Sequence, residues 1–87
     1  MSEHKKDIEI VVVVSGQPER IRIHVHQTLE HLVHEALRRS GNAGQPPSDW
    51  DLRTEDGRLL DQSVTVAAAH IHDGITLFLS PKAGAGG

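Results

Sequence analysis

Three groups of residues in this 87-residue chain are of types that can do chemistry: seven histidines, a scatter of carboxylates, and the small-residue run Lys82-Ala83-Gly84-Ala85-Gly86-Gly87. Cysteine is absent, which excludes disulfides, thiolate metal sites and a thiol nucleophile. Six of the seven histidines fall as His24-Val25-His26, as His31 and His34 at i, i+3, and as His70-Ile71-His72, with His4 apart from them. A structural zinc site wants four converging ligands. The sets do not converge by pattern, so solvated histidines and no metal are expected. Glu55-Asp56-Gly57-Arg58 and Asp73-Gly74 read as turns, and no pair of carboxylates is spaced for acid–base work. No catalytic residue is assigned, and the chain is not expected to be an enzyme or to hold a cofactor.

Bulk properties narrow the class further. A chain of this length makes one small domain, which buries roughly 60–65% of the surface its unfolded form exposes. It can lay one helix on one sheet, with little left for a deep cleft, which favours a binding or carrier module. Net charge is −3, the nine Lys and Arg are scattered, and Trp50 and Phe78 are the only large aromatic rings. Without a basic stripe or an aromatic platform, nucleic acid is not an expected partner. Met1-Ser2-Glu3-His4-Lys5-Lys6 is polar and is followed by neither a signal peptide nor a membrane span. The cytoplasm is therefore the expected compartment.

The elements that must position the tail can be read from periodicity. Residues 1–7 form a disordered lead-in. Ile8 to Val14 is almost wholly β-branched and reads as a strand. Ser15-Gly16-Gln17-Pro18 supplies a turn, after which Ile21, Ile23 and Val25 alternate with Arg20, Arg22, His24 and His26. The period then changes. Leu29, Leu32, Val33, Ala36 and Leu37 fall at helical spacing, with Thr28 as N-cap, Arg38 and Arg39 in the last turn, and Gly41 as a left-handed cap. After the loop Asn42–Asp49, Trp50, Leu52 and Thr54 alternate as a third strand, Leu59-Leu60 makes a short fourth, and residues 63–69 cross over loosely, anchored by Val64 and Val66. Ile75, Leu77 and Leu79 form the last strand, which Pro81 stops because it has no N–H to donate. Strand, strand, helix, strand, short strand, strand is an α+β order. It places one helix on one face of a mixed four- to five-stranded sheet, the β-grasp. The folded domain is expected over residues 8–80 and a flexible tail over 81–87.

The pattern resembles ubiquitin. Gly44-Gln45-Pro46-Pro47-Ser48-Asp49 is similar to the Gly-X-Pro-Pro-Asp loop that follows the ubiquitin helix, and Leu60-Asp61 to Ile71 with Thr76-Leu77-Phe78-Leu79 keeps ubiquitin's spacing without a gap. Gly86-Gly87 matches the ubiquitin end, and the resemblance covers residues 8–87. Residues 41–63 and Ser80-Pro81-Lys82-Ala83-Gly84-Ala85-Gly86-Gly87 also resemble a group of small bacterial ubiquitin-like proteins. Members of that group are encoded beside activating, conjugating and deconjugating enzymes and are linked with antiphage defence. Two departures bear on recognition. Arg53 stands where ubiquitin's receptor patch has isoleucine and Ser80 where it has valine, and the tail carries only Lys82 where ubiquitin has two arginines.

The resemblance implies a protein modifier whose conjugation site is the carboxylate of Gly87, with Gly86 before it. A carboxylate is a poor electrophile until it is adenylated, and the enzyme that does this must thread the chain end through a narrow slot. Glycine, lacking Cβ, passes such a slot in any backbone conformation. Residues 82–87 reach ~20 Å at about 3.3 Å per residue. Pro81, Lys82, Ala83, Gly84 and Ala85 are the residues that partner enzymes would grip. The implied partners are an activating enzyme using ATP and Mg²⁺, a conjugating enzyme, a deconjugating protease and target proteins. With Gly87 last, no trimming is expected before activation. The plain alternative is that 82–87 is a frayed end.

Other candidate features follow. If Ile8, Ile10 and Val12 face the helix, then Val11 and Val13 face outward, as Phe78 does. With Arg53 beside them they make a candidate partner-binding surface. The chain holds three lysines, of which Lys5 and Lys6 are the candidates for chain linkage. Trp50 is expected to pack in the core or its loop. A monomer is expected. Two other functions fit the same residues: a sulfur carrier that forms a thiocarboxylate at Gly87, and a binding module whose outer sheet face is the whole function.

Overall fold

The computed structural model describes residues 6–82, so residues 1–5 of the expected lead-in and residues 83–87 of the expected tail lie outside what is described. The elements are β1 (Asp7–Val14), β2 (Gln17–His24), α1 (Leu29–Arg39), a 3-10 turn (Pro47–Asp49), β3 (Trp50–Arg53) and β4 (Thr76–Pro81). The sheet has four strands in the order β2-β1-β4-β3, with β1 and β4 parallel and the other two pairs antiparallel. One helix on one face of this mixed sheet is the β-grasp expected from the sequence.

The first hairpin is tighter than the sequence suggests. Val14 pairs with Gln17 directly, leaving only Ser15 and Gly16 in the loop. Both have positive φ, 48° and 90°, as the two-residue turn that matches strand twist demands. Gln17 and Pro18 therefore belong to β2 and not to the turn. Pro18 is accommodated because β2 is an edge strand, and its register opposite Val13 turns its nitrogen away from β1.

α1 is set at both ends by its own sequence. Thr28 Oγ1 accepts from the His31 N–H at 3.2 Å. Gly41, with φ +85°, closes the other end: its N–H donates to Arg38 O at 3.4 Å, and the Asn42 N–H to Leu37 O at 2.7 Å. Those two bonds make a Schellman cap. The stripe Leu29, Leu32, Val33, Ala36 and Leu37 is buried against Ile8, Ile10, Val12, Ile21, Leu52 and Leu77 of the sheet and against Val66.

Four further expectations need correction. Leu59-Leu60 is not a strand. It makes one bridge, Arg53 to Leu59, and one further bond from the Leu60 N–H to Leu52 O at 2.8 Å. The Thr54–Arg58 turn precedes it, and at Asp61 the chain turns again, with Asp61 Oδ1 accepting from the Ser63 N–H, so no room remains for a ladder. Pro81 does end β4, but from inside the strand and not from beyond it. It is its last residue, opposite Trp50, and the Lys82 N–H donates to Asp49 O at 2.9 Å. Asp7 opens β1, and the Lys6 carbonyl accepts from the Val25 N–H at 2.7 Å, so pairing begins before residue 8.

Nor is the crossover loose. The Leu29 N–H donates to Val64 O, the Val66 N–H to Gln27 O and the Ala67 N–H to Val25 O, each at 2.9 Å, while Val66 is fully buried. Leu77 is the fully buried centre of β4, between β1 and β3. Leu77→Ala is expected to cost about 2–5 kcal/mol of unfolding free energy, read as a lower midpoint in urea denaturation.

Candidate functional site

The outer face of the sheet, opposite the helix, carries one continuous row. Cross-strand pairing sets Pro18 of β2 beside Val13 of β1, Val13 beside Phe78 of β4, and Phe78 beside Arg53 of β3. The bridge from Arg53 to Leu59 extends the row beyond the edge of the sheet. Residues paired in this way share a face, because side chains alternate across a strand. Phe78 is 39% exposed and Leu59 54%, and they are the two exposed large hydrophobics among the described residues. Val13 is half-buried between them and Pro18. The structure thus joins Val13, Phe78 and Arg53 in one row. Val11 falls one register step away, between Arg20 and Thr76.

Arg53 does not break the row as a free charge would. Its Nη1 donates to Gly57 O at 3.2 Å and its Nη2 lies 3.5 Å from Asp51 Oδ2, so the guanidinium is held at the turn and at its own strand. Its place in the row is between Phe78 and Leu59. Arg20 is similarly engaged, its Nε 3.7 Å from Glu9 Oε2. Both pairs are exposed and contribute little to stability.

The second feature lies where β4 leaves the body. A groove of about 370 Å³ is floored by Trp50, Leu52 and Leu60 and edged by Leu59, Asp61 and Lys82. Its frame is a set of hydrogen bonds between segments distant in sequence. Gln62 Nε2 donates to Trp50 O at 2.9 Å and Pro47 O at 3.2 Å, tying the crossover to the start of β3. The Glu30 N–H donates to Gln62 O at 2.8 Å, so a helix N-terminal donor that lacks an intrahelical acceptor finds one in the same loop. Trp50 is buried, and its Nε1–H donates to Gln45 Oε1 at 3.3 Å, so it packs in both core and loop. Asp61 Oδ1 accepts from the Ser63 hydroxyl at 2.7 Å and from the Ser63 N–H at 2.9 Å. These bonds hold its carboxyl below its ordinary value and therefore charged at neutral pH.

The histidines are spread over the molecule. His24 and His26 have ring centroids 5.1 Å apart, and the His26 N–H donates to His24 Nδ1 at 3.2 Å. His31 and His34 are on α1, and His70 and His72 flank the buried Ile71 in the crossover. Among the described residues no three His, Cys, Asp or Glu side chains gather as a metal site requires. Lys6 and Lys82 are the described lysines. Lys6 sits at the start of β1, and Lys82 follows the last residue of β4, at the opposite end of the parallel pair. Lys5, Ala83, Gly84, Ala85, Gly86 and Gly87 fall outside the described residues. Among the described residues no helix is long and apolar enough to cross a membrane.

Sequence reasoning missed Pro18, Leu59 and Gln62. Pro18 read as turn punctuation and Leu59 as an ordinary strand residue. Only the cross-strand register reveals that they complete the row. Gln62 had no signal at all, since a polar residue in a loop is ordinary. Gln62→Leu leaves two carbonyls without their donor and is expected to cost about 1–3 kcal/mol by denaturant unfolding. It should also broaden the amide resonances of Glu30 and Trp50.

With this geometry in place, the fold matches solved structures of ubiquitin type. A designed protein based on ubiquitin superposes with a TM-score of 0.79 at 22% identity, covering 97% of this chain and 99% of that one. A structure described as molecular mimicry of SUMO that promotes DNA repair gives 0.75 at 20% identity, covering 88% and 94%. The ubiquitin of Caldiarchaeum subterraneum gives 0.72 at 19% identity, covering 87% and 94%. These likenesses establish a ubiquitin-like fold. In sequence, the chain is 39% identical over 80 residues to the uncharacterized protein y4jI of Sinorhizobium fredii (strain NBRC 101917 / NGR234). That stretch takes in 92% of this chain and 62% of the relative's length. The chain belongs to the family described as Protein of Unknown function (DUF2604), whose model matches residues 3–87.

Proposed function

We propose that this protein is a bacterial ubiquitin-like modifier, joined to target proteins through the carboxylate of Gly87, with a place in antiphage defence. The observation that carries the reading is the junction of fold and tail. β4 is a central strand of a ubiquitin-like sheet, and it delivers the chain at Lys82, pinned to Asp49, into the run Ala83-Gly84-Ala85-Gly86-Gly87. A rigid body with a slim, small-residue end suits a substrate that another enzyme must hold by the body and react at the tip.

The chemistry belongs to the partners, and the chain contributes no catalytic group. The Gly87 carboxylate is the acyl donor, whether it is the chain's own end or is released by a protease. Its oxygen attacks the α-phosphorus of Mg²⁺-bound ATP, and pyrophosphate leaves. A thiolate on the activating or conjugating enzyme displaces AMP from the acyl adenylate. An amine or hydroxyl of the target then displaces the thiolate and gives up its proton to solvent. Pro81 to Ala85 are the residues gripped on the way, a deconjugating protease reverses the linkage, and Lys5 and Lys6 are the acceptors if chains form. Before conjugation the protein is a cytoplasmic monomer.

The outer-face row favours a second reading, a binding module that works without conjugation. Intact-mass analysis separates the two. The chain is incubated with ATP, Mg²⁺ and the activating and conjugating enzymes of its own gene neighbourhood. A thioester or larger adduct is expected with the whole chain and none with a chain lacking Gly86 and Gly87. A gain of one sulfur in place of oxygen would make it a sulfur carrier, and an unchanged mass with active enzymes would leave the binding module.

Phe78→Ser, on the outer side of β4, is expected to lower unfolding free energy by about 0.5–2 kcal/mol, through two lost cross-strand contacts, and to leave the chain folded. Titration calorimetry against the partner should nevertheless show weaker binding.

A further inference from the structure

The groove at the root of the tail is charged in a way that its place in the fold makes informative. Two carboxylates line it, Glu30 on the first turn of α1 and Asp61 on the crossover, brought near each other by the Glu30 N–H bond to Gln62 O. Glu30 has no ion pair among the described residues, and Asp61 accepts only from the neutral donors of Ser63. Asp51 also borders the groove but is engaged by Arg53. Lys82 is the one cation lining it among the described residues. Leu59, 54% exposed, lines the same groove with the apolar floor of Trp50, Leu52 and Leu60. The frame is fixed by the bonds of Gln62 and of the Glu30 N–H, so the concavity exists before anything enters it.

We propose that this groove receives a segment of the protein that handles the tail, a segment carrying an apolar side chain flanked by lysine or arginine. The inference rests on the reading that a partner acts at Gly87. The apolar side chain covers Leu59 and removes it from water. The flanking cations meet Glu30 and Asp61, which have no ion pair among the described residues. The position is the argument for this occupant. The described chain ends at Lys82 on the rim of the groove, and five residues, about 17 Å when extended, run from there to Gly87. A protein that holds Gly87 in its active site must lie within that distance of the groove. The chain's own tail is a poor occupant, because folding it back would carry the Gly87 carboxylate towards Glu30 and Asp61.

Two peptides test the proposal by ¹⁵N–¹H correlation spectra of the 87-residue chain at low salt. One is a twelve-residue peptide with a central leucine flanked by arginines, and the other has glutamate at each arginine. The basic peptide is expected to shift the amides of Glu30, Leu59, Leu60, Asp61 and Ser63, and the acidic one to leave them unmoved. Leu59→Ser, or Glu30→Gln with Asp61→Asn, should weaken binding about two- to tenfold, and added salt should weaken it further. The same variants should raise KM for activation of the chain and leave kcat within about twofold. Shifts elsewhere, equal binding of the two peptides, or an unchanged KM would overturn the proposal. The peptide titration is repeated on the chain lacking Gly86 and Gly87. Groove binding should persist there, so loss of activation in that chain reports on the modifier reading alone.

Discussion

The parallel pairing of β1 with β4 is the constraint on which the rest of the molecule depends. The two strands are far apart in sequence, yet Val11 pairs with Thr76 and Val14 with Leu79. Parallel neighbours cannot be joined by a tight turn. Everything between them therefore has to carry the chain back to the starting end of the sheet. α1 lies against one face, and residues 62–67 return along the end of the helix and tie its first N–H groups to Val64 and Gln62. The helix N-terminus, whose donors would otherwise be unsatisfied, becomes the fastening for the crossover. Because β4 then sits at the centre of the sheet, the chain leaves the body from a strand held on both sides.

One arrangement thus generates both surfaces described above. The outer-face row exists because two central strands place Val13 and Phe78 side by side, and the flanking strands add Pro18 and Arg53. The groove lies where, among the described residues, β3 has no fifth strand beside it. After the bridge at Leu59 the chain turns at Asp61, leaving a concavity where a longer ladder would have been flat.

Much of this was legible in the residues. The stripe from Leu29 to Leu37, the caps at Thr28 and Gly41, and the alternation in β1 and β4 all agree with what the fold uses, because each is a local pattern read by a local rule. The misreadings were set by longer-range facts. Whether Pro18 turns or pairs depends on the hairpin closing with two residues. Whether Leu59-Leu60 becomes a strand depends on how soon Asp61 finds Ser63. Pro81 reads as a stop, but its missing N–H matters only where an acceptor faces it. Opposite Trp50 it completes β4. The role of the Gln62 side chain lies in two carbonyls, 12 and 15 residues away.

The placement of the lysines carries a consequence of its own. Every basic position from Asp7 to Pro81 that is not histidine is arginine. A guanidinium does not lose its proton in a protein and is no nucleophile towards an acyl group. The surface from Asp7 to Pro81 therefore offers no lysine amine to an acylating reagent, and such amines stand only at its two ends, at Lys5, Lys6 and Lys82. A body made in this way can be held beside an activated acyl group with no lysine between Asp7 and Pro81 to consume it.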